Sequence, residues 1–357
     1  MSKVRLLIAV DKTRFFYMKQ FGDALSDHNV QYLLINDLEI YDMHEFSNKY
    51  LRWIKSPKKF EDIIKQFRPD VVLTERVSHF SSLVIKYKIP LIIFLRGDYW
   101  SEVNWAKETL YKSRNKRLEI WIKQKIANKC FKKSVLILPI CKYLENIVKE
   151  HYPNKPTEVL YQGINISDWY PQKGMNLKHP CVGLLQDARI WEKTKEMLTL
   201  AKVMEAMPDV TFYWAGDGPY RDHVLPILEK YQNFKWLGTL QYPDQVRKFL
   251  TEIDIYALVS GIDMSPLTLQ EAQLMQKPVV ATNVSGIPEL MRNNETGFLV
   301  EKQNPDEIIE KISTLVNNDD KRKQMGILGR SFIEKNFNWE IIAKRFSDIL
   351  NSYLDKK

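Results

Sequence analysis

Short, nearly continuous apolar runs punctuate the first half of the chain at Val4–Val10, Val30–Ile35, Val71–Thr74, Leu91–Leu95, Val135–Pro139 and Thr157–Tyr161. A strand buried on both faces shows such a run instead of a two-residue alternation. Between most of these runs the apolar positions recur at helical spacing, as in Phe60–Phe67 and Lys142–Glu150. Strands and helices in turn make β-α-β units, which predict a parallel sheet covered by helices on both faces. Asp168–Pro180 sets Pro171, Gly174 and Pro180 among polar residues and reads as a linker. The pattern then restarts, with strands predicted at Cys181–Leu185, Val210–Ala215, Phe234–Leu237, Ile255–Val259, Pro278–Ala281 and Phe298–Val300. Asn338–Leu354 is a helical pattern with Trp339, Ile342, Phe346, Ile349 and Tyr353 on one face. The expected architecture is α/β, with two tandem Rossmann-like domains whose parallel sheets face each other across a cleft. The domains are placed at 1–170 and 171–340, with a C-terminal helix over 341–357 packing back on the first.

Composition changes this picture little, but charge does. The 357 residues are 45% hydrophobic and 27% charged, an ordinary globular balance. The net charge of +9 is uneven: residues 1–170 hold 29 Lys and Arg against 19 Asp and Glu, and residues 171–357 hold 24 against 25. A basic first half points to an anionic partner, such as nucleic acid, a phosphorylated acceptor or an acidic membrane surface. No nucleic-acid motif accompanies it. The three cysteines, Cys130, Cys141 and Cys181, are odd in number, lack metal-site spacing and sit in or beside apolar runs. They read as buried thiols of a reducing cytosol. The apolar runs fall short of the roughly 20 residues of a membrane span, and Val4–Val10 is too short and too early for a signal peptide. The expected location is the cytoplasm, with peripheral contact on the inner face of a membrane.

Candidate chemistry gathers after the predicted strands of the second domain. Asp263 to Glu271 follows Ile255–Val259 and opens a helix, with Pro266 suited to its first turn. First-turn N–H groups at a strand's carboxyl end bind phosphate, and carboxylates at Asp263 and Glu271 can accept sugar or ribose hydroxyls. The same residues could equally stabilise a helix dipole. Arg189 and Lys193 follow Cys181–Leu185, where two cations can clamp a diphosphate; Lys195 is a rival to Lys193, and a solvated helix start is the plainer reading. Gly216-Asp217-Gly218-Pro219 is a tight turn. After the first strand stands Asp11-Lys12-Thr13-Arg14 instead of a glycine-rich fingerprint, so no dinucleotide cofactor is expected.

Val159 to Asn165 resembles the hinge-side motif of retaining glycosyltransferases of family 4, and the rest of that family's series follows in order. Arg189 to Ala201 is similar to its arginine–lysine segment, Gly216–Pro219 to its Gly-Asp-Gly-Pro turn, and Trp236-Leu237-Gly238 to its base-side strand end. Asp263 to Glu271 is similar to its paired-glutamate motif, continued by Lys277–Thr282, Gly286–Glu289 and Thr296–Val300. The resemblance covers 159–345; residues 1–158 match only in pattern, as a variable acceptor domain would. It implies a GT-B fold and a retaining, metal-independent transfer from a UDP- or GDP-sugar, with no cofactor. The acceptor would be a saccharide or lipid-linked, as in the synthesis of glycolipids, lipid-linked oligosaccharides or surface polysaccharides. By the same resemblance Arg189 and Lys193 hold the diphosphate, and Lys193 is chosen over Lys195 because that register puts Ala201 on the family's alanine. Glu271 takes the ribose, Asp263 the sugar hydroxyls, and the N–H groups near Ser265 and Leu267 the phosphates. Gly216, Asp217, Leu237 and Met264 complete the donor side.

The chain departs from the family where Asp263 replaces a glutamate and where Ala188 and Thr194 stand in place of glycines. It also lacks the paired glycines of the first loop, for which Lys12 or Arg14 substitutes by charge. On the acceptor side Asp98 is the candidate, with a helix N-cap as the alternative. His79 reads as a surface histidine. Residues 101–133 hold ten basic and three acidic residues. There Leu118, Trp121, Ile122, Ile126 and Cys130 recur at helical spacing among Lys123, Lys125 and Lys129, which fits either an anionic membrane surface or a core-packed helix. Two other functions share these features, a nucleotide-sugar epimerase on the same fold and a non-catalytic nucleotide-sugar-binding partner.

Overall fold

The computed structural model of the chain describes residues 3–41, 51–53, 57–109 and 113–354. Residues 110–112, inside the basic stretch 101–133, and residues 355–357 of the C-terminal helical pattern lie outside them. The chain divides into two compact units, Met1–Gly163 with Trp339–Lys357, and Ile164–Asn338.

In the first unit β1 (Val4–Val10), β2 (Val30–Asn36), β3 (Val71–Glu75), β4 (Leu91–Leu95) and β5 (Leu136–Pro139) form a parallel sheet in the order β2-β1-β3-β4-β5. Strands β3, β4 and β5 are buried along their whole length, which is why they read as unbroken apolar runs. The strand expected at Thr157–Tyr161 does not form. That segment runs beside β5 and bonds to Ile137 and to the Pro139 carbonyl, but only one bridge, Ile137 to Thr157, is complete. Pro139 has no N–H to return to the segment, so the ladder stops there.

The unit is closed by the end of the chain. Helix Trp339–Leu354 lies on helix Phe15–Leu25, with the rings of Trp339 and Phe346 5.5 and 5.3 Å from that of Phe21. The Trp339 indole N–H donates to Gln20 Oε1 at 3.0 Å. Gly163 makes this possible: a Cβ there would lie 2.3 Å from the Trp339 ring.

In the second unit β6 (Cys181–Leu185), β7 (Thr211–Ala215), β8 (Phe234–Gly238), β9 (Ile255–Leu258), β10 (Val279–Thr282) and β11 (Gly297–Val300) are again parallel, in the order β11-β10-β9-β6-β7-β8. Counted from β6, this is the doubly wound Rossmann order. Val182, Leu184, Phe212, Trp214, Ile255 and Val280 form the centre of its core. The expected linker proves to be a packed strap. Trp169 is buried, Arg330 and Arg247 donate to the carbonyls of Trp169 and Asp168, and the Lys178 N–H donates to the Tyr213 hydroxyl. Prolines and polar residues there specify irregular backbone, not freedom.

In each sheet the strand order reverses at one place, between β1 and β3 and between β6 and β9. Loops leaving the carboxyl ends of such neighbours diverge and leave a crevice where doubly wound sheets bind ligands.

Truncating Trp339 removes a buried aromatic and its hydrogen bond together. Trp339→Ala is expected to destabilise the first unit by about 3–5 kcal/mol, read from urea unfolding. A loss under about 1 kcal/mol would show that the C-terminal helix contributes little to that unit.

Candidate functional site

The β6/β9 reversal sets Lys193 against Asp263. Lys193 stands on the short helix Trp191–Thr194 after β6, and Asp263 lies in the loop after β9. Lys193 Nζ donates to Asp263 Oδ2 at 2.6 Å and lies 3.9 Å from Asp187 Oδ1. Burial alone pulls the Lys193 pKa down, but Asp263, Asp187 and the hydrogen bond outweigh it and hold the ammonium above its ordinary value. The two loops are also tied through backbone, the Gly261 N–H donating to the Lys193 carbonyl at 3.2 Å. Lys195 turns away and pairs with Glu192. Arg189 is 78% exposed, with its nearest acid, Asp187, 3.8 Å away.

Beside this pair helix Leu267–Leu274 begins at Pro266, with no side chain capping its first N–H groups. Ser265 precedes it with a buried hydroxyl that has no hydrogen-bond partner, Leu267 is half-buried, and Met264 packs inward. Tyr256, buried in β9, ties the arrangement together by donating to Thr268 Oγ1 at 2.7 Å. One turn in, Glu271 is 3% exposed. Burial drives its pKa up to about 8, although a hydrogen bond from Tyr242 opposes the rise. Its carboxyl is therefore mostly protonated at neutral pH.

The turn after β7 packs against the same loops. A Cβ on Gly216 would fall 1.9 Å from the Gln186 carbonyl, and one on Gly218 2.5 Å from Ala188 backbone, so glycine is required by close approach. Asp217 accepts from the Gly218 N–H at 2.7 Å and from Arg221 at 3.1 Å. Leu237 is half-buried near the end of β8.

In the first unit the β1/β3 reversal holds a different cluster. Glu75, at the end of β3, is buried between Arg96 at 3.2 Å and Arg14 at 3.6 Å. Burial lowers the Arg96 pKa to about 10 despite Glu75. Asp11 is raised by burial and by its neighbours Asp37 and Glu75. Lys12 is exposed and its N–H donates to Asp37. Arg76 takes the left-handed backbone conformation, at φ 60°, and pairs with Glu102 at 2.6 Å over Gly97. These residues border a cavity of about 260 Å³ walled by Val77, Leu95, Tyr99, Val103 and Ile120, with Lys123 at its lining. Asp98 does what its N-cap reading describes: it accepts from the N–H groups of Trp100 and Ser101 and from the Ser101 hydroxyl at 2.5 Å. His79 corrects an expectation. It is buried against Tyr41 and Phe80 instead of exposed, and burial lowers its pKa to about 4.

Helix Arg114–Lys133 divides the residues assigned to it. Ile120, Ala127, Cys130 and Phe131 are core, and Ile122 and Ile126 are half-buried. Leu118 and Trp121 are 58% and 53% exposed. Lys125 lies over the Trp121 ring at 5.4 Å, Lys129 is exposed, and Lys123 is paired with Glu119. No helix among the described residues is long and apolar enough to cross a membrane.

Asp187, Tyr242, Tyr256, Glu75 and Arg96 had no sequence signal as site residues beyond standing near strand ends. Their role appears only once the strand order brings distant loops together.

Residues 183–318 match the family model described as Glycosyl transferases group 1. An uncharacterized glycosyltransferase of Methanocaldococcus jannaschii is 29% identical over 208 residues, 57% of this chain and 56% of that protein. A GDP-mannose-dependent monoacylated alpha-(1-6)-phosphatidylinositol monomannoside mannosyltransferase of Corynebacterium glutamicum is 32% identical over 161 residues, 43% of this chain and 42% of that protein. The chain thus spans about half the length of these curated relatives. In fold it is similar to sucrose-phosphate synthase from Thermosynechococcus elongatus, with a TM-score of 0.76 at 14% identity over 99% of this chain and 100% of that one. The second unit thus contains the segment that matches the glycosyl transferases group 1 model, in a chain built from two parallel-sheet α/β domains as in the GT-B fold.

Proposed function

We propose that the chain is a glycosyltransferase that moves a sugar from a UDP- or GDP-sugar to an acceptor hydroxyl with retention of configuration. The observation that carries this reading is the Lys193–Asp263 pair at the β6/β9 reversal, beside an uncapped helix start with an orphan hydroxyl at Ser265. In the proposed reaction the bond from the anomeric carbon to the diphosphate oxygen breaks and one to the acceptor oxygen forms on the same face. The departing diphosphate takes the acceptor's proton. Lys193, Arg189 and the N–H groups after Ser265 stabilise the charge that builds on it, a task suited to fixed cations and dipoles. These cations supply the positive charge, so the reading invokes no metal at that point. Asp263, held by Lys193, presents its remaining acceptor capacity to sugar hydroxyls, and Glu271 accepts the ribose diol. The similarity to a GDP-mannose-dependent enzyme acting on a phosphatidylinositol mannoside supports a nucleotide-sugar donor and a lipid-linked acceptor.

Lys193→Ala and Arg189→Ala are each expected to lower kcat about a hundredfold or more, with Lys195→Ala near the parent. The measurement is product formation with a panel of nucleotide sugars and a lipid extract, and the reverse ranking of the two lysines would refute the assignment.

Glu271 links donor binding to pH. The carboxylate accepts a diol, yet burial holds it protonated to about pH 8, so binding expels a proton. Nucleotide affinity is expected to rise by up to about tenfold per pH unit toward pH 8, measured by calorimetry with UDP and GDP. Glu271→Gln should flatten that profile and weaken binding by about 1.5–3 kcal/mol. Stability runs the other way. The folded pKa lies above the unfolded one, so the folded form binds the extra proton and stability falls as pH rises from about 4.5 to about 8. The Gln variant is expected to melt higher than the parent at pH 8, and a pH-independent affinity in the parent would remove Glu271 from the site.

The first unit is proposed to dock on anionic membrane from the cytoplasmic side, through Leu118 and Trp121 flanked by Lys125 and Lys129. The exposed apolar pair on a basic helix supports this, since each Lys or Arg near an anionic leaflet contributes about 1 kcal/mol. Co-sedimentation with anionic but not neutral vesicles is expected, reduced by Lys125→Glu with Lys129→Glu and by Trp121→Ala. Equal recovery in the supernatant with both vesicle types would point to a soluble acceptor.

A further inference from the structure

The amino ends of β6 and β9 bring together side chains that the transfer reaction does not use. His179 precedes β6, Cys181 is its first residue, Asp254 immediately precedes β9, and Glu252 ends helix Asp244–Glu252. His179 Nδ1 lies 2.8 Å from Asp254 Oδ2 and 3.7 Å from Cys181 Sγ. The three donor atoms all fall within 4.8 Å of one another. A tetrahedral ion with bonds of about 2.0–2.3 Å sets its ligands roughly 3.3–3.7 Å apart, so the sulfur stands at ligand spacing from the imidazole nitrogen and the carboxylate must open from it by about half an ångström.

A second observation concerns the other imidazole nitrogen. His179 Nε2 is 3.0 Å from Glu252 Oε1. An outer carboxylate on the far nitrogen is how metal-binding histidines are oriented toward their ion. Asp254 is fixed as well, accepting the Cys181 N–H at 2.8 Å. Cys181 is buried and Asp254 partly so, while His179 is exposed enough to admit an ion and leave one position for water. Once Cys181 has lost its proton, it carries negative charge together with Asp254 and Glu252. The Lys277 ammonium, held on the Thr251 carbonyl at 2.8 Å, offsets part of that charge. The remainder matches a divalent cation. Thiolate, imidazole and carboxylate together suit zinc, not magnesium or calcium.

We propose that His179, Cys181 and Asp254 bind a divalent transition metal, zinc(II) being the natural ion, with Glu252 orienting the histidine. Binding exchanges the ion for the Cys181 thiol proton and any proton on His179, both released to solvent. The site lies a strand's length, roughly 13–17 Å, from the carboxyl-end cluster of Lys193 and Asp263. Its task is to fasten the strap that leads into β6 onto the sheet.

The test titrates cobalt(II) into the full chain after dialysis against chelator. A thiolate-to-cobalt charge-transfer band is expected, saturating at one ion per chain and displaced by zinc. Lys193→Ala should keep the band, which separates this site from the donor site. His179→Gln, at an exposed position, and Cys181→Ser should each abolish it. Glu252→Gln should retain it with affinity weakened about 10–100-fold. No band in the parent chain, or a band that survives His179→Gln, overturns the proposal. If Cys181→Ser fails to fold, the His179→Gln result decides alone.

Discussion

A lysine with little access to water keeps its charge most firmly where an acid is held against it, and the second unit is arranged around that constraint. Lys193 is charged because Asp263 and Asp187 face it. They face it because β6 and β9 are neighbours in space while β7 and β8 intervene in sequence. The turn at Gly216 packs under Gln186, and Tyr256 braces the start of helix Leu267–Leu274. Each contact fixes one of the two loops that carry the pair. Removing one partner of such a pair is severe because the other is left charged and poorly solvated.

The first unit meets the same constraint with the signs exchanged. There a carboxylate, Glu75, is buried, and arginines from the ends of β1 and β4 surround it. Arg76 is driven into left-handed backbone directly after it and aims at Glu102. A non-glycine residue in that conformation persists only where its surroundings over-determine it. The basic excess of this half is thus partly internal scaffolding and partly the exposed face of helix Arg114–Lys133.

Strand positions were legible because buried parallel strands leave apolar runs. Each of the eleven strands among the described residues answers to a predicted run to within one residue at either end. The failure at Thr157–Tyr161 came from one missing N–H at Pro139 on the partner, which no pattern within the segment records. His79 was misread because one histidine beside a strand end gives no sign of the aromatic rings that close over it. Arg189, Lys193, Asp263 and Glu271 stood out through spacing and a family likeness. Tyr242 and Glu75 did not, since their partners are distant in sequence, and Asp187, although only six residues from Lys193, belongs to no motif. The cluster of His179, Cys181 and Asp254 was hidden for the same reason: Cys181 and Asp254 are 73 residues apart, so no spacing motif exists to find.

The two ends of the second sheet differ in what they leave unfinished. At the carboxyl end Ser265 keeps a buried hydroxyl without a partner, Glu271 holds a proton it would lose in water, and Arg189 reaches into solvent with only a distant acid. The first two are costs because the groups are buried, whereas the Arg189 guanidinium is hydrated. A polar, polyanionic ligand with a diol would relieve both costs, by accepting from the hydroxyl and donating to the carboxylate, and would give the guanidinium an anionic partner. At the amino end both imidazole nitrogens and one oxygen of the Asp254 carboxylate already have partners, so the imidazole offers no open donor or acceptor to an organic ligand. Only a species that displaces protons and takes their place among the same atoms improves on that arrangement, and a small divalent cation is such a species. The chemistry that each end selects therefore follows from which of its groups are already satisfied, not from how many charges it carries.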